Sequence, residues 1–208
     1  SGCGKTTLGR SIVGLDKPTK GTIKFKGKAI NKLSTEERKV FRQKMQMVFQ
    51  DPFDSMNPRK TAFEMIAQPL LLNNIVSKTE LLPEVLRLFE IVGLSPSKSY
   101  LSRSRYHLSG GERQRLSLAR SISVKPEIIV ADEPVSALDI SIQGQVLSLL
   151  RQLQKDFQIS YIFISHDLSV VRSLADRVII MYLGQVVEEG TTEEIFKSPK
   201  HPYTLALL

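Results

Sequence analysis

The sequence lacks most of the features that mark a secreted, membrane-spanning or repetitive chain, and each lack excludes something. Cys3 is the only cysteine among 208 residues, so no internal disulfide can form, which suits a reducing compartment. No apolar run approaches the roughly 18 residues that a membrane-spanning helix needs, and no signal-peptide pattern is present. Any work at a membrane is therefore expected to be peripheral. Internal repeats and low-complexity tracts are also missing. Basic residues outnumber acidic ones by 29 to 21, a net charge of +8 that favours anionic partners. They are spread without a block of five or more, so solvated surface charge explains them better than a nucleic-acid groove.

What is present points to one globular domain carrying an insertion. Hydrophobic residues make up 41% of the chain, enough for a core of ordinary size. Leu8, Ile12 and Leu15 have helical spacing after Lys5, and "TIKFKG" (Thr22 to Gly27) alternates as an edge strand does. "STEERKVFRQK" opens a helix with a Ser34–Glu37 capping box, and "MQMVFQD" follows as a buried strand ending at Gln50. Turn residues then crowd "DPFDSMNPR", and helical segments follow, one introduced by a second expected capping box at Ser77 and Glu80. Strand signals return with "EIIVADE", "SYIFISHD" and the hairpin "RVIIMYLGQVVEEG" turning at Gly184, with an Asp139-capped helix between the first two. This alternation predicts an α/β fold around a mainly parallel sheet. The expected division is the first part of an α/β core over 1–50, an inserted helical subdomain over 51–125, and the second part of the core with the start of a C-terminal segment over 126–208.

Chemistry is concentrated at strand ends and helix starts. "SGCGKTT" reads as the second half of a phosphate-binding loop, and the sequence is expected to begin inside that motif. Gly2 and Gly4 allow backbone N–H groups to turn inward as a nest for phosphate oxygens, and the helix dipole adds to it. Lys5 would reach the β- and γ-phosphates and Thr6 would hold Mg²⁺; a plain glycine-rich turn is the other reading. "IIVADE" sets Asp132 and Glu133 at the end of a buried strand, where two acids are costly unless they act. Asp132 can hold Mg²⁺ through water and Glu133 can face an attacking water, against the simpler reading of an acidic turn. His166 and Gln50 end neighbouring strands, where α/β sheets bind ligands, although either could be merely structural. "HLSGGERQR" begins a helix whose Ser109 and Glu112 form a capping box. A cap alone does not require Gly110 and Gly111, and close approach by a ligand would explain them. Since Gly2–Lys5 already holds one set of phosphates, this second site is expected to face the nucleotide of another subunit.

Together, "SGCGKTT", Gln50, "LSGGERQR", "IIVADEP", "SALD" and "SHD" resemble the Walker A, Q-loop, signature, Walker B, D-loop and H-loop motifs of ABC-type ATPases, in the family's order and across essentially the whole chain. "VFQDPFDSMNPR", "VADEPVSALDISIQGQVL" and "GTTEEIFKSPKHPYTLALL" are similar to the oligopeptide and dipeptide importer branch, which includes nickel and glutathione importers. The resemblance implies a P-loop NTPase fold in which Ser1, Gly2, Cys3, Gly4, Lys5, Thr6 and Thr7 bind ATP. It implies that Glu133 is the general base, with His166 and Gln50 beside it, and that Thr6, Gln50 and Asp132 serve Mg²⁺. Ser109, Gly110 and Gly111 would reach the γ-phosphate of the opposite subunit, with Asp139 acting across the interface. The implied partners are a second ATPase subunit, identical or paralogous, and transmembrane permease subunits that meet the loop 51–59. An extracytoplasmic solute-binding protein would act indirectly, and the implied location is the cytoplasmic face of the membrane. ABC-type ATPases that act on nucleic acid or the ribosome are the alternative, mildly favoured by the net charge. Because the strand leading into the phosphate loop is expected to be missing, residues 1–208 alone are expected to be poorly stable and inactive.

Overall fold

The computed structural model describes residues 2–208, leaving out the side chain of Asp54. Helix α1 (Lys5–Ile12) leaves the phosphate loop directly and ends before Gly14, which adopts φ +73°. The alternating stretch forms only a two-residue-deep hairpin, β1 (Lys24–Phe25) and β2 (Lys28–Ala29), turned at Lys26 and Gly27 with φ 49° and 80°. It is therefore shorter than the alternation predicts. Helix α2 (Thr35–Lys44) carries the expected capping box, and β3 (Met45–Val48) follows without a break.

Between residues 51 and 125 every regular element is helical: α3 (Pro52–Ser55), α4 (Ala62–Leu72), α5 (Leu81–Ile91), α6 (Lys98–Leu101) and α7 (Gly110–Ile122), with a 3-10 turn at Arg105–His107. Only an isolated bridge joins Thr61 to Ser104. The expected box at Ser77 and Glu80 is not a helix cap. α5 starts later, at Leu81, and Ser77 instead donates its own N–H and hydroxyl to Glu80 at 3.0 and 2.6 Å. Pro83 explains the shift. A start at Ser77 would put its ring inside the helix, whereas a start at Leu81 leaves it in the first turn, where no N–H partner is needed.

The remaining elements alternate as expected: β4 (Ile128–Asp132), α8 (Ile140–Phe157), β5 (Ser160–Ile164), α9 (Leu168–Leu174), the hairpin β6 (Arg177–Tyr182) and β7 (Gln185–Thr191), then α10 (Thr192–Lys197) and α11 (Pro202–Leu207). Strands β3, β4 and β5 form a parallel sheet with β4 in the middle, pairing Val48 with Ala131 and Asp132 with Ile164. Because neighbouring side chains on a strand point to opposite faces, Ile129 and Val130 enter different cores. Ile129 joins Val48, Leu70, Phe89, Leu116 and Leu150, so the helices of 62–122 and α8 share one apolar core with one sheet face. Val130 joins Ile164, Phe41 and Val13 on the α1 and α2 side. Each fully buried Leu or Phe contributes about 1.5–3 kcal/mol. Both faces of β4 are thus anchored, which fixes the position of the acids at its end. Among the described residues no helix is long and apolar enough to cross a membrane.

Candidate active site

The phosphate loop has the backbone that its glycines predict. Gly2 and Gly4 sit at φ 86° and 89°, and a Cβ built on either would meet nothing within 4 Å, so open space faces both. Gly4 is the N-cap of α1 with no side-chain cap, leaving the first N–H groups of the helix without a protein acceptor from that cap. Lys5 lies half-buried, its Nζ 3.5 Å from Cys3 Sγ, while Thr6 and Thr7 are exposed on the first turn. Gly9 lets α1 lie against the sheet: a Cβ there would stand 2.9 Å from Ile164 Cδ1 and 3.2 Å from Val130 Cγ1. Ser1 lies outside the described residues.

The ends of the parallel strands converge on Glu133. Gln50 Nε2, just past β3, donates to Glu133 Oε2 at 3.1 Å. His166, just past β5, places Nδ1 at 3.0 Å from Glu133 Oε1, so the proton of this contact is on Nδ1. Both carboxylate oxygens are thereby oriented while the Glu133 side chain stays only 13% exposed. Its backbone has φ 44°, rare for a residue with a side chain, and its N–H donates to Ile164 O at 2.9 Å.

Asp132 is the adjacent acid and is 2% exposed. Burial pushes its carboxyl above the ordinary range; the Thr6 hydroxyl opposes this, Glu133 adds to it, and the Lys5 ammonium opposes it. Its Oδ1 is buried with no hydrogen-bond partner. An orphaned acid oxygen near Thr6, with the amide oxygen of Gln50 also available, is a hard-oxygen donor set that suits Mg²⁺ held chiefly by phosphate and water. The fit is therefore good, and no cluster of three His, Cys, Asp or Glu residues competes for a metal among the described residues.

The signature segment lies elsewhere. Ser109 caps α7 through the expected box, accepting from Glu112 N at 3.2 Å while its own N–H donates to Glu112 Oε2 at 2.7 Å. Among the described residues no hydrogen bond joins 109–112 to the phosphate loop. The glycine pair has an internal reason that the sequence does not reveal. A Cβ on Gly111 would stand 2.8 Å from Ile142 Cγ2, and one on Gly110 would stand 3.3 Å from Leu138 Cδ2. Packing of α7 on the segment 138–142 thus requires the small residue at 111 and favours one at 110, so ligand approach alone does not account for the pair. Asp139 caps α8 as expected, accepting from Ile142 N at 3.1 Å and Ser141 Oγ at 2.8 Å, and the Ser141 hydroxyl holds its carboxyl below the usual range.

Sequence similarity decides the family. The profile described as ABC transporter matches residues 1–136, well over half of the chain. The chain belongs to the ABC transporter family. It is 51% identical over its full length to the oligopeptide transport ATP-binding protein AppF of Bacillus subtilis, and 46% identical to the dipeptide transport ATP-binding protein DppF of Escherichia coli. It spans 63% and 62% of the lengths of those relatives. Among solved structures it is similar to the ATP-binding cassette MJ0796, a dimer in a post-hydrolysis state bound to ADP and Pi, with 30% identity and a TM-score of 0.79 over 92% of this chain and 82% of that one. It is also similar to cbiO1 from Clostridium perfringens, part of the ABC transporter complex cbiONQ, with 26% identity and a TM-score of 0.81 over 95% of this chain and 76% of that one.

Proposed function

We propose that this chain is the ATP-hydrolysing subunit of an ABC importer for peptides or a related small solute. The carrying observation is the convergence on Glu133, whose two oxygens are held by Gln50 and His166 at the ends of adjacent strands, beside an open glycine nest. ATP lays its phosphates over Gly2–Thr7, with Lys5 on the β- and γ-phosphates. Thr6 and Gln50 would hold Mg²⁺, with Asp132 reaching it through water, and the ion would supply positive charge to offset that of the phosphates. Glu133 accepts the proton of the attacking water. Gln50 and His166 hold that carboxylate in line, so the chain's contribution is mainly positioning and electrostatics.

Ser109, Gly110, Gly111 and Asp139 complete the site of a second subunit. This reading is supported by the absence of any hydrogen bond from 109–112 to the chain's own phosphate loop among the described residues, and by the dimeric form of the MJ0796 cassette. Residues 51–125 act as a helical subdomain whose loop at 51–59 meets permease subunits at the cytoplasmic face of the membrane. A solute-binding protein outside the cell selects the cargo. The names of the relatives favour transport over action on nucleic acid or the ribosome.

The test is Glu133→Gln. The variant should bind ATP normally, hydrolyse it at least roughly 100-fold more slowly, and accumulate an ATP-bound dimer on size-exclusion chromatography. Turnover at the parental rate would remove Glu133 from the role of base.

A further inference from the structure

The turn that follows Gln50 is held by arginines from the segment that carries the signature helix. Arg105 Nη1 donates to both Phe53 O, at 2.8 Å, and Met56 O, at 2.7 Å. Its Nη2 donates to the Tyr106 hydroxyl at 3.1 Å, and its guanidinium lies 5.1 Å from the Phe53 ring centre. Arg113, one turn into α7, lies over the same ring at 4.0 Å and donates from Nε to Arg105 O at 3.0 Å. Arg120, two turns further along α7, donates to Ser55 O. Three carbonyls and the ring of α3 are therefore grasped from one side, while Met56 is anchored in the main core at 4% exposure. A guanidinium suits this grip, because its planar fork can donate to two carbonyls and stack on a ring at once.

On the other side of the same turn, three residues before Phe53, Gln50 makes its 3.1 Å contact with Glu133. Asp51 stiffens the intervening step by accepting from Phe53 N at 2.8 Å. The path from Arg105 to the Glu133 carboxylate is therefore a short, hydrogen-bonded piece of chain with little freedom to slip.

We propose that Arg105 is a positioning residue for hydrolysis: by fixing the Phe53 and Met56 carbonyls it sets where Gln50 holds Glu133. Arg105 touches neither nucleotide nor water, and acts through Gln50 alone. It also ties the placement of Gln50 to the start of α7, so that a shift of the signature segment moves the carboxylate's partner with it. The inference rests on the reading of Glu133 as the base.

The test is a double-mutant cycle in the native complex. Arg105→Gln should lower kcat roughly 10- to 100-fold, as expected for a displaced catalytic group, with ATP affinity close to parental. In a Gln50→Ala background the same substitution should have little further effect on kcat, because both changes break one path. Arg105→Lys keeps the charge and donors but loses the fork, and should lie between Arg105→Gln and the parent. It also carries the cycle should Arg105→Gln fail to fold. Loss of kcat that multiplies with that of Gln50→Ala overturns the proposal, as does a kcat at the parental level or a fall confined to ATP affinity. Glu133→Gln run in parallel separates the two levels of inference. If it abolishes turnover while the cycle is multiplicative, only the role of Arg105 fails; if it turns over normally, both fail.

Discussion

Glu133 and Asp132 are consecutive acids with opposite physical situations. Glu133 has both oxygens engaged by neutral or cationic donors, yet its backbone sits at φ 44°, a conformation that costs on the order of 1–3 kcal/mol in a residue with a side chain. The strain turns the carboxylate out of the strand, off the direction that continued alternation would give it. Asp132 stays in the strand, buried at 2% exposure with an orphaned oxygen. Its raised pKa means that the native state holds the proton to higher pH than the unfolded chain does. Stability is therefore lost as pH rises from the unfolded carboxylate range through the folded value, and the loss is complete above it. At neutral pH without nucleotide, Asp132→Asn is expected to raise the melting temperature, because the burial cost of the charge disappears. With Mg²⁺ and ATP present the order should reverse, since the parent gains ligand stabilisation that the variant has weakened. Thermal melts of both proteins, with and without Mg²⁺-ATP, check the two signs. A variant less stable than the parent in both conditions would show that Asp132 is a structural acid instead.

At the scale of elements, the glycines of the signature helix suggest a ligand, and the packing gives them a second and nearer reason. The 2.8 Å approach of a Cβ on Gly111 to Ile142 Cγ2 involves a branch at the Cβ of Ile142, which cannot swing away as a chain end would. Gly111→Ala is therefore expected to destabilise the nucleotide-free protein by about 1–3 kcal/mol from overpacking, with up to about 1 kcal/mol returned by better helix propensity. Ile142→Ala in the same chain should relieve the clash, so the pair should be markedly less destabilised than the sum of the single changes. Denaturant melts of the four proteins decide it, and simple additivity would leave only the ligand explanation. The contrast shows which parts of the molecule are legible in sequence. The boxes at Ser34–Glu37 and Ser109–Glu112, the Asp139 cap and the Gly184 turn involve residues only a few positions apart, so type and spacing suffice. The Ser77–Glu80 pair misleads because Pro83 moves the helix start, a competition between two local signals. The hold of Arg105 on Phe53 spans 52 positions and leaves no mark in local spacing. The φ of Glu133 is equally hidden, because nothing in "VADEP" marks its second acid as a residue with left-handed backbone.

At the scale of the whole molecule, the central sheet is well anchored on both faces but not on both edges. β4 is bonded on either side, whereas β3 and β5 each pair with β4 alone among the described residues, and β6 and β7 form a separate two-stranded sheet. Ile162 on β5 is 36% exposed and Leu8 on α1 is 43% exposed. An unpaired strand edge flanked by bare apolar side chains is a template for pairing with another chain. The 208-residue chain alone is therefore expected to melt over a broad range, to hydrolyse ATP weakly, and to elute from size-exclusion columns at larger apparent size as its concentration rises. Ile162→Lys places a charge on the exposed face of this open strand and should reduce the nucleotide-independent association. The same change should not affect the ATP-dependent dimer of Glu133→Gln, because that dimer is expected to form through the phosphate loop and the signature helix. A sharp, concentration-independent melt of the parent chain with full ATPase activity would mean that the β5 edge carries no such weakness, and that the cores on either side of β4 hold the site in place unaided.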